Sequence, residues 1–479
     1  MQAYSIGEIS SIVQGPVSGD AGLQITHIIT DSRKVLDPQS SLFFALPGDK
    51  REGHHFIPEA FQRGVRCFVV NHIPTGTKME GASFVVVRDT REALQRLAAH
   101  HRSRFNYPVI GLTGSNGKTI VKEWINHLLH EDMHIVRSPK SYNSQIGVPL
   151  SLWQMHERAD LAIIEAGIST TGEMEKLEKM IRPTIGVFTN IGEAHSEGFS
   201  SRQEKIREKL LLFKGSKVLV YCSDYEDLHM EAVNFSEHHR IELFSWGRTH
   251  GPAVHVAETR AEGNSTFIHL RYKEKDIAFA IPFTGAAPVE NAITCAVLMI
   301  WLGRTEKLDE RMLGLPSLSM RLEMKNGINR CTVINDSYSN DLSSLKLALD
   351  FLQQQQQHQK KTVILSDIPQ TKIPQEVLYR EVAGLLKHHR ISSFKGIGPE
   401  ISAYAEAFRA EGIDAEFWPD TGNFIYHFNP LMFRDETILI KGARSFGFEQ
   451  INQLLEVKMH QTILTVNLSS ISENLTLYR

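Results

Sequence analysis

The chain has 479 residues, of which 42% are hydrophobic and 22% charged, a composition typical of a globular protein with about three domains of ~150 residues. A net charge of -3 gives no general attraction to nucleic acid or anionic membranes, so an anionic ligand must be held by a local site. The absence of an apolar leader and of any run of eighteen apolar residues predicts a cytoplasmic protein. Four scattered cysteines predict buried thiols in a reducing compartment rather than metal ligands: Cys67, Cys222, Cys295 and Cys331.

The first hundred residues alternate between strand and helix patterns. Residues 25–30 alternate like a strand and lead into Asp31-Ser32-Arg33, and residues 41–46 suit a second strand. Residues 56–64 suit a helix and residues 67–70 another strand. This segment predicts a small α/β domain.

A glycine-rich loop follows the next apolar run. Residues 108–112 are apolar, and helical spacing resumes over residues 120–130, so the pattern predicts a strand, a phosphate loop and a helix. Backbone N–H groups and the helix N-terminus would hold a polyphosphate, with Lys118 on its outer phosphates and the Thr119 hydroxyl on Mg²⁺. The usual spacing places glycine where Leu112 stands, so the loop is a variant, and a plain glycine-rich turn is the alternative. The predicted nucleotide-binding residues of the loop are Gly114, Ser115, Asn116, Gly117, Lys118 and Thr119.

Two further apolar runs end in polar side chains. Residues 161–164 suit a strand buried on both faces and end at Glu165, while residues 185–189 lead towards His195. Ligands of open α/β sheets gather at the carboxyl ends of strands, so Glu165 is well placed for Mg²⁺. A loop histidine without a function is the alternative for His195.

The remaining sequence continues the alternation. Residues 353–357 are a run of glutamines, which predicts a tolerant surface extension. Predicted strands cover residues 217–222, 278–283, 362–365 and 437–440, and predicted helices cover residues 289–302, 343–352, 375–388 and 400–409.

Several stretches together resemble the Mur ligases, the ATP-dependent peptide synthases of the bacterial cell wall. The displaced first glycine of the loop is a feature of that family. The resemblance implies an α/β fold of three domains, with a central P-loop ATPase-type parallel sheet and a Rossmann-like C-terminal domain. It spans residues 25–450 and rests on residues 31–33, 42–48, 53–57, 113–119, 141–150, 336–338 and 441–444.

The resemblance also implies the domains and the activity. It assigns residues 1–105 to a UDP-precursor-binding domain, 106–305 to ATP binding and 306–457 to the incoming dipeptide. The motifs fit best the member that adds D-alanyl-D-alanine to UDP-N-acetylmuramoyl-tripeptide in cytoplasmic peptidoglycan synthesis, a step of cell-wall biogenesis, cell shape and division. The implied cofactors are ATP and Mg²⁺, and neither nucleic acid nor membrane is an implied partner.

Substrate contacts follow from matching positions. The family's Ser-Arg turn holds the uridine diphosphate, which implies Ser32 and Arg33, and a surface turn with a solvated arginine is the alternative. The stretch that contacts the muramoyl peptide implies Asn143 and Gln145, and an ordinary turn before Gly-Val-Pro is the alternative.

A metal and catalytic set is implied in the same way. In the family a lysine downstream of the histidine is carbamylated by CO₂ and becomes an anionic oxygen ligand. The matching residue is Lys209, and Lys205 and Lys214 are neighbouring alternatives. The other alternative is that this lysine is unmodified and lies on a solvated helix face. The implied metal ligands are Thr119, Glu165, His195 and Lys209, and the implied catalytic residues are Lys118, Glu165, His195 and Lys209.

The later motifs imply nucleotide and amine contacts. Asn291 matches the adenine-side asparagine, Arg321 the arginine on the phosphates and Asp336 the aspartate on the ribose. Tyr338 and Lys441 match positions that bind substrate, with the lysine facing the incoming amine.

Three positions depart from the family pattern. Ala287-Pro288 replaces a histidine and asparagine, Ser339-Asn340 alters an Asn-Ala-Asn run, and Ser366-Asp367 replaces Gly-Asp.

The implied reaction is amide formation through an acyl phosphate. Within the class, the alternatives are a sibling ligase that adds diaminopimelate or lysine, or a folate polyglutamate synthase. An inactive nucleotide-binding scaffold is a second class, and a P-loop kinase or GTPase is a third.

Residues 462–475 continue beyond the Mur pattern and resemble the opening of an alanine racemase barrel. This implies that residues 458–479 are a linker and the start of a truncated racemase domain in a ligase-racemase fusion. Pyridoxal phosphate would belong only to the missing part, and the present chain cannot racemise. The ligase part is expected to be monomeric and the fusion dimeric through its racemase.

Overall fold

The computed structural model describes residues 3–457 except 36, 49–51, 75–78, 193–195, 250, 317–322, 337–339, 356, 370 and 372. The chain divides into two compact units. The first comprises Met1–Met320, Asp341–Leu347 and Ile368–Pro374, and the second Arg321–Asn340, Ala348–Asp367 and Gln375–Arg479. No helix among the described residues is long and apolar enough to span a membrane.

The N-terminal part of the first unit holds a five-stranded sheet and a two-stranded one. The larger sheet has the order β2-β7-β6-β5-β4, in which β4 to β7 run parallel and β2 is an antiparallel edge, while β1 pairs with β3. The elements are β1 Tyr4–Ser5, α1 Ile6–Val13, β2 Val17–Ser18, β3 Gln24–Ile25, β4 His27–Ile29, β5 Ser41–Phe44, α2 Ile57–Gln62, β6 Cys67–Val70, β7 Ser83–Val86 and α3 Thr90–Ser103.

The single strand predicted over residues 25–30 is wrong. Ile25 pairs with Tyr4 in the small sheet, whereas His27 pairs with Ser41 in the large one. Sequence alternation cannot register a change of partner in the middle of an extended run, because both strands keep the same period of two.

The core of this region contains a side chain from later in the chain. Trp153 packs in one cluster with Tyr4 and the helix-α3 residues Leu94 and Leu97. Its Nε1 donates to Thr26 O over 2.9 Å, and its ring lies 5.3 Å from that of Tyr4. The N-terminal sheet and the segment after residue 147 therefore share one core.

The central sheet has nine strands in the order β16-β15-β14-β13-β12-β11-β8-β10-β9. Apolar clusters cover both of its faces, as a buried parallel sheet requires. Its elements are β8 Val109–Thr113, α4 Lys118–Leu129, β9 Ile135–Arg137, α5 Gly147–Leu152, β10 Leu161–Glu165, α6 Glu173–Ile181, β11 Ile185–Phe188, α7 Arg202–Leu210, β12 Val218–Cys222, α8 Glu226–His239, β13 Glu242–Gly247, β14 Val254–Glu262, β15 Ser265–Tyr272, β16 Lys275–Ile281, α9 Ala286–Trp301 and α10 Leu308–Leu313.

The expectation of a parallel central sheet needs one correction at its edge. The seven strands β8 to β14 run parallel, but β15 and β16 add an antiparallel meander. Most of β14 is exposed, so it lacks the apolar signal of a buried strand.

The second unit holds a six-stranded sheet of order β17-β18-β22-β19-β20-β21, with one antiparallel edge strand. The helix predicted over residues 400–409 is two short helices, because Tyr404 between them has a non-helical ψ of 23°. The elements of this sheet and the helices around it are β17 Glu323–Asn326, β18 Thr332–Asp336, α11 Leu342–Gln354, β19 Lys360–Ser366, α12 Gln375–His388, β20 Ser393–Ile397, α13 Pro399–Ala403, α14 Ala405–Ala410, β21 Asp414–Trp418, α15 Thr421–Tyr426, β22 Glu436–Lys441 and α16 Glu449–Leu455.

Candidate active site

The strand, loop and helix predicted around the glycine-rich stretch are present. Strand β8 is buried throughout and ends at Thr113, and helix α4 starts at Lys118. Gly114 has a φ of +145° and Gly117 a φ of +80°, which side-chain-bearing residues rarely adopt. A Cβ atom would lie 2.1 Å from Thr189 Oγ1 at the first position and 2.4 Å from Asn291 Oδ1 at the second. Both the backbone and the space therefore require glycine.

The segment that follows β11 is hydrogen-bonded to this loop. The Ser115 amide donates to Asn190 O and the Asn116 amide to Asn190 Oδ1, each over 2.9 Å. Thr189 Oγ1 donates to Asn116 O over 2.6 Å, and the Gly192 amide donates to Ser115 Oγ over 2.9 Å. The conformation of the loop thus depends on the end of the neighbouring strand.

Two of the predicted site residues, Lys118 and Thr119, lie at the start of α4. Lys118 Nζ donates to Gly114 O over 2.8 Å and to Ser115 O over 3.1 Å, so its ammonium lies over the loop. Thr119 is buried, and its Oγ1 donates to Glu165 Oε2 over 3.2 Å. The geometry brings together a cation, the N-terminus of a helix and a carboxylate.

Glu165 occupies the end of β10, beside β8 in the sheet. Its register partner in β8 is Leu112, which places its carboxylate next to the glycine loop. The side chain is fully buried, and its Oε1 lies 3.1 Å from Lys122 Nζ as an ion pair without hydrogen-bond geometry. Asn143 Nδ2 reaches Oε2 over 3.5 Å. Two of the predicted site residues, Thr119 and Glu165, are therefore in contact.

Lys209 is also placed at the loop. It lies on α7, is 3% exposed, and its Nζ is 3.3 Å from Gly114 O, so a solvated helix face does not describe it. Burial lowers the pKa of its amine well below the usual range, and the charges of Lys118 and Lys205 lower it further, although Glu208 opposes them.

The two alternatives to Lys209 lie elsewhere. Lys205 is buried and donates to Gly192 O over 2.6 Å. The Lys214 side chain is 34% exposed and lies 3.9 Å from Glu175 Oε1. Lys209 contacts the glycine loop itself, at Gly114 O.

The side chains of the predicted diphosphate-binding turn form hydrogen bonds within the turn and with Glu59. Ser32 is buried and donates from Oγ to Glu59 Oε2 over 2.8 Å. The Arg33 side chain is 77% exposed and forms a two-pronged pair with Asp31, at 2.9 Å for each nitrogen. Lys34 Nζ lies 3.4 Å from Tyr142 OH, which connects the turn to the stretch that holds Asn143.

Asn143 and Gln145 point to different neighbours. Asn143 faces Glu165 in the candidate site, as described above. Gln145 donates from Nε2 to Glu173 O over 3.0 Å, and its own side-chain oxygen accepts from Gln95 Nε2 over 3.0 Å. The structure therefore places Asn143 beside the loop and Gln145 between α3 and α6.

Asn291 packs against the glycine loop from α9. Its Oδ1 would be only 2.4 Å from a Cβ atom on Gly117, and the residue is 5% exposed. The departure at Pro288 falls in the first turn of α9, where the missing N–H has no helical partner to lose.

In the second unit, two residues predicted for separate roles form one pair. Asp336 ends β18 and Lys441 ends β22, and these positions are register partners. Lys441 Nζ lies 2.5 Å from Asp336 Oδ2, with both side chains buried. Nearby, Ser366 Oγ accepts from the Ala443 amide over 2.8 Å, and Asn340 Nδ2 donates to Ser366 O over 3.0 Å.

Some predicted residues cannot be placed. His195, Arg321 and Tyr338 lie outside the described residues, as does the whole of 458–479. Within the described part of the chain, no three His, Cys, Asp or Glu side chains form a metal-binding group. Sequence reasoning also missed Lys122, whose only signal was its position four residues after Lys118 on α4.

A buried strand, a glycine loop at a helix N-terminus and a carboxylate on the adjacent strand define the class of α/β proteins with a phosphate-binding loop. Residues 112–299 match the Mur ligase middle domain, and residues 24–102 match the Mur ligase family catalytic domain. The chain belongs to the Mur ligase family, whose members are ATP-dependent ligases that form amide bonds.

Relatives and solved structures cover nearly the whole chain. A UDP-N-acetylmuramoyl-tripeptide–D-alanyl-D-alanine ligase of Bacillus subtilis (strain 168) is 28% identical over 464 residues, which are 93% of this chain and 97% of that protein. The ligase of the same name from Escherichia coli (strain K12) is 26% identical over 95% of this chain and 99% of its own. A crystal structure of MurF from Acinetobacter baumannii matches with a TM-score of 0.75 and 22% identity over 95% and 99% of the two chains. The predicted multi-domain α/β Mur ligase fold is confirmed.

Proposed function

We propose that this chain adds D-alanyl-D-alanine to UDP-N-acetylmuramoyl-tripeptide in an ATP-dependent, cytoplasmic step of peptidoglycan precursor synthesis, acting as a monomer. The observation that carries the proposal is the match over 464 residues to a relative of that name, together with the loop, Lys118, Thr119 and Glu165 in one place. In this proposal residues 1–105 bind the UDP precursor, residues 106–305 bind ATP, and residues 306–457 bind the dipeptide.

The chemistry that this arrangement supports is phosphoryl transfer followed by acyl transfer. The peptide's terminal carboxylate attacks the γ-phosphorus of ATP, which gives an acyl phosphate and ADP. The neutral amine of the dipeptide then attacks the acyl carbon, loses a proton and displaces inorganic phosphate. The loop amides and Lys118 hold the transferred charge, and positioning of the two reactants accounts for most of the catalysis. No covalent bond to the enzyme is needed.

The contents of the site fit a magnesium ion. The Thr119 hydroxyl and the Glu165 carboxylate lie 3.2 Å apart, and oxygen donors of these kinds are what Mg²⁺ prefers. Thr119 and Glu165 would hold the ion, with His195 and a carbamylated Lys209 completing the proposed set. When bound, Mg²⁺ neutralises negative charge on the phosphate groups.

Carbamylation of Lys209 has chemical support in its surroundings. A lowered pKa raises the fraction of neutral amine, and only a neutral amine attacks CO₂, forming an N–C bond and releasing a proton. Protein incubated with ¹³C-bicarbonate should show one carbamate carbon resonance, which Lys209→Arg abolishes. Lys214→Arg, at a partly exposed lysine, is the matched control and should keep the resonance. A resonance that survives Lys209→Arg would assign the carbamate elsewhere.

Product analysis tests the proposed reaction itself. Purified protein receives ATP, Mg²⁺ and the tripeptide nucleotide, with D-alanyl-D-alanine, diaminopimelate or lysine offered in separate reactions. Of the three amines, we expect only D-alanyl-D-alanine to give an amide product and stoichiometric phosphate release. Lys118→Ala should lose both, because its ammonium is the cation over the loop. Equal phosphate release from the two proteins would indicate an inactive scaffold, and turnover with another amine would indicate a sibling ligase.

The resemblance of residues 462–475 to the start of an alanine racemase stays a prediction. These residues lie outside the described part of the chain, and the ligase reaction proposed above does not require them.

A further inference from the structure

Lys122 is a fully buried cation that contacts Glu165 and the backbone of residues 138 and 140. Its side chain has no exposed area, one helical turn after Lys118 on α4. The ammonium donates to Ser138 O over 2.6 Å and to Lys140 O over 2.5 Å. Its remaining direction is shared by the carboxylates of Glu123 and Glu165, each 3.1 Å away.

The Lys122 ammonium is surrounded by protein oxygens. Two of its three N–H donors bond carbonyls, and the two carboxylates beside it are ion-pair partners. Such a side chain is not a phosphate ligand. Any role that it has in the reaction must act through the groups that it holds.

One of those groups is the Glu165 carboxylate. A buried carboxylate needs an opposite charge, and Lys122 supplies it at Oε1. With Oε1 so engaged, Oε2 is the oxygen that faces the Thr119 hydroxyl at 3.2 Å. Lys122 thus pairs with one oxygen of the acid that would bind the metal and orients the other towards Thr119.

The second group is the backbone of residues 138–140. Lys140 has a φ of +49°, a left-handed conformation that is unfavourable for a residue with a side chain. Its carbonyl is held by Lys122, and the next residue, Ser141, shares a 3.2 Å contact with Thr119 Oγ1. The Ser138 hydroxyl in turn accepts from the Glu165 amide over 3.1 Å. One cation therefore joins α4, the end of β10 and this turn.

We propose that Lys122 is a positioning residue that holds Glu165 and the turn at residues 138–141 in register with Thr119, so that metal affinity depends on a side chain that does not touch the metal. The inference rests on the proposed function, because it concerns the metal of that site. Outer partners of metal ligands typically change metal affinity by about 10- to 100-fold.

The test measures Mn²⁺ binding in the presence of ADP by electron paramagnetic resonance, with no turnover required. Lys122→Met keeps most of the length of the side chain and removes its charge, and we expect roughly ten-fold weaker Mn²⁺ binding. Lys122→Arg keeps the charge and should recover part of the loss. Arg137→Met is the matched control, since Arg137 pairs with Glu123 at 2.9 Å on the outer side of the same cluster. It should bind Mn²⁺ within about two-fold of the natural protein.

A second readout separates positioning from general damage. In the ligase assay Lys122→Met should raise the Mg²⁺ concentration for half-maximal rate by roughly ten-fold, while the KM for D-alanyl-D-alanine stays within about two-fold. A folded Lys122→Met protein with natural Mn²⁺ affinity would overturn the proposal. Mn²⁺ binding is measured without the peptide substrates. A natural protein that forms no amide with D-alanyl-D-alanine would therefore contradict the proposed function, while the effect of Lys122→Met on Mn²⁺ affinity could still be measured.

If Lys122→Met fails to fold, the double variant Lys122→Met/Glu165→Gln decides, because it removes both buried charges together. The proposal requires Lys122→Met to cost clearly less than its roughly ten-fold loss of Mn²⁺ affinity when Glu165→Gln is already present, since much of its effect acts through Glu165. A further ten-fold loss in the double variant would count against it, as the two effects would then be independent.

Discussion

Individual residues at the glycine loop have little freedom to change. Gly117 combines a left-handed backbone with an Asn291 side chain that fills the place of a Cβ atom. A substitution there must strain the backbone and displace Asn291 at the same time.

Gly117→Ala is therefore expected to lower the free energy of unfolding by roughly 1–3 kcal/mol and to weaken ADP binding by at least about ten-fold. Denaturant unfolding and calorimetric titration with ADP measure the two effects. Gly215→Ala is the control, because nothing lies within 4 Å of a Cβ atom at that exposed position. Unchanged ADP affinity in Gly117→Ala would show that the loop relaxes more easily than its contacts suggest.

The role of a single side chain can be predicted from the sequence when the neighbouring residues in the chain indicate it. Glu165 could be assigned because it follows a buried strand, and its contact with Thr119 is what the strand-end rule leads one to expect. Lys122 could not, since a lysine in a helix indicates solvent. Its partners lie at residues 138, 140 and 165, and only the folded chain brings them together.

At the scale of elements, one histidine joins three segments of the first unit. His101 on α3 is 2% exposed, with Nδ1 2.9 Å from Tyr4 OH and Nε2 3.0 Å from Met155 O. Burial lowers the pKa of this imidazole to about 4, although the Met155 carbonyl opposes the shift.

This shift predicts a specific loss of stability in acid. The unfolded chain binds a proton at His101 below a pKa of about 6.5, whereas the folded chain resists it until about 4. The contribution is thus complete above pH 6.5 and is lost as the pH falls towards 4, by up to roughly 3 kcal/mol. Unfolding curves of the natural protein and of His101→Gln measure it. Parallel pH profiles for the two proteins would contradict the assignment.

Elements with strong local patterns could be predicted closely, and those defined by their partners could not. The pattern gave helix 375–388 with the bounds Gln375–His388 that the structure has. Strand β16 overlaps the strand predicted over residues 278–283, but β14 and β15 were not predicted, and much of β14 is exposed and carries no apolar period. The change from one sheet to another after Ile25 was not predicted, because the period of a strand does not identify the strand with which it pairs.

At the scale of the whole molecule, the cysteines divide between the two units. All four are buried, with Cys67, Cys222 and Cys295 in the first unit and Cys331 in the second. Burial raises the pKa of the Cys67 and Cys222 thiols to about 12 each, and it raises those of Cys295 and Cys331 as well. Buried, protonated thiols are poor nucleophiles.

The native protein should therefore react negligibly with a thiol reagent at neutral pH. If the two units unfold separately in rising denaturant, Cys331 should label at a different midpoint from the other three, because it belongs to the other unit. Mass spectrometry of labelled peptides gives the midpoint for each site. A Cys331→Ser protein tests the assignment of that transition, and four coincident midpoints would indicate one cooperative unit.

The position of Trp153 bears on how the chain matures during synthesis. The ribosome releases the N-terminal sheet first, yet the indole that fills its core beside Tyr4 is encoded about fifty residues after α3 ends. Until that indole emerges, the nascent segment exposes an apolar hollow and offers Thr26 no N–H donor. The N-terminal sheet, which leaves the ribosome first, therefore completes its core only after residue 153 has emerged. During that interval its apolar surface is accessible to chaperones.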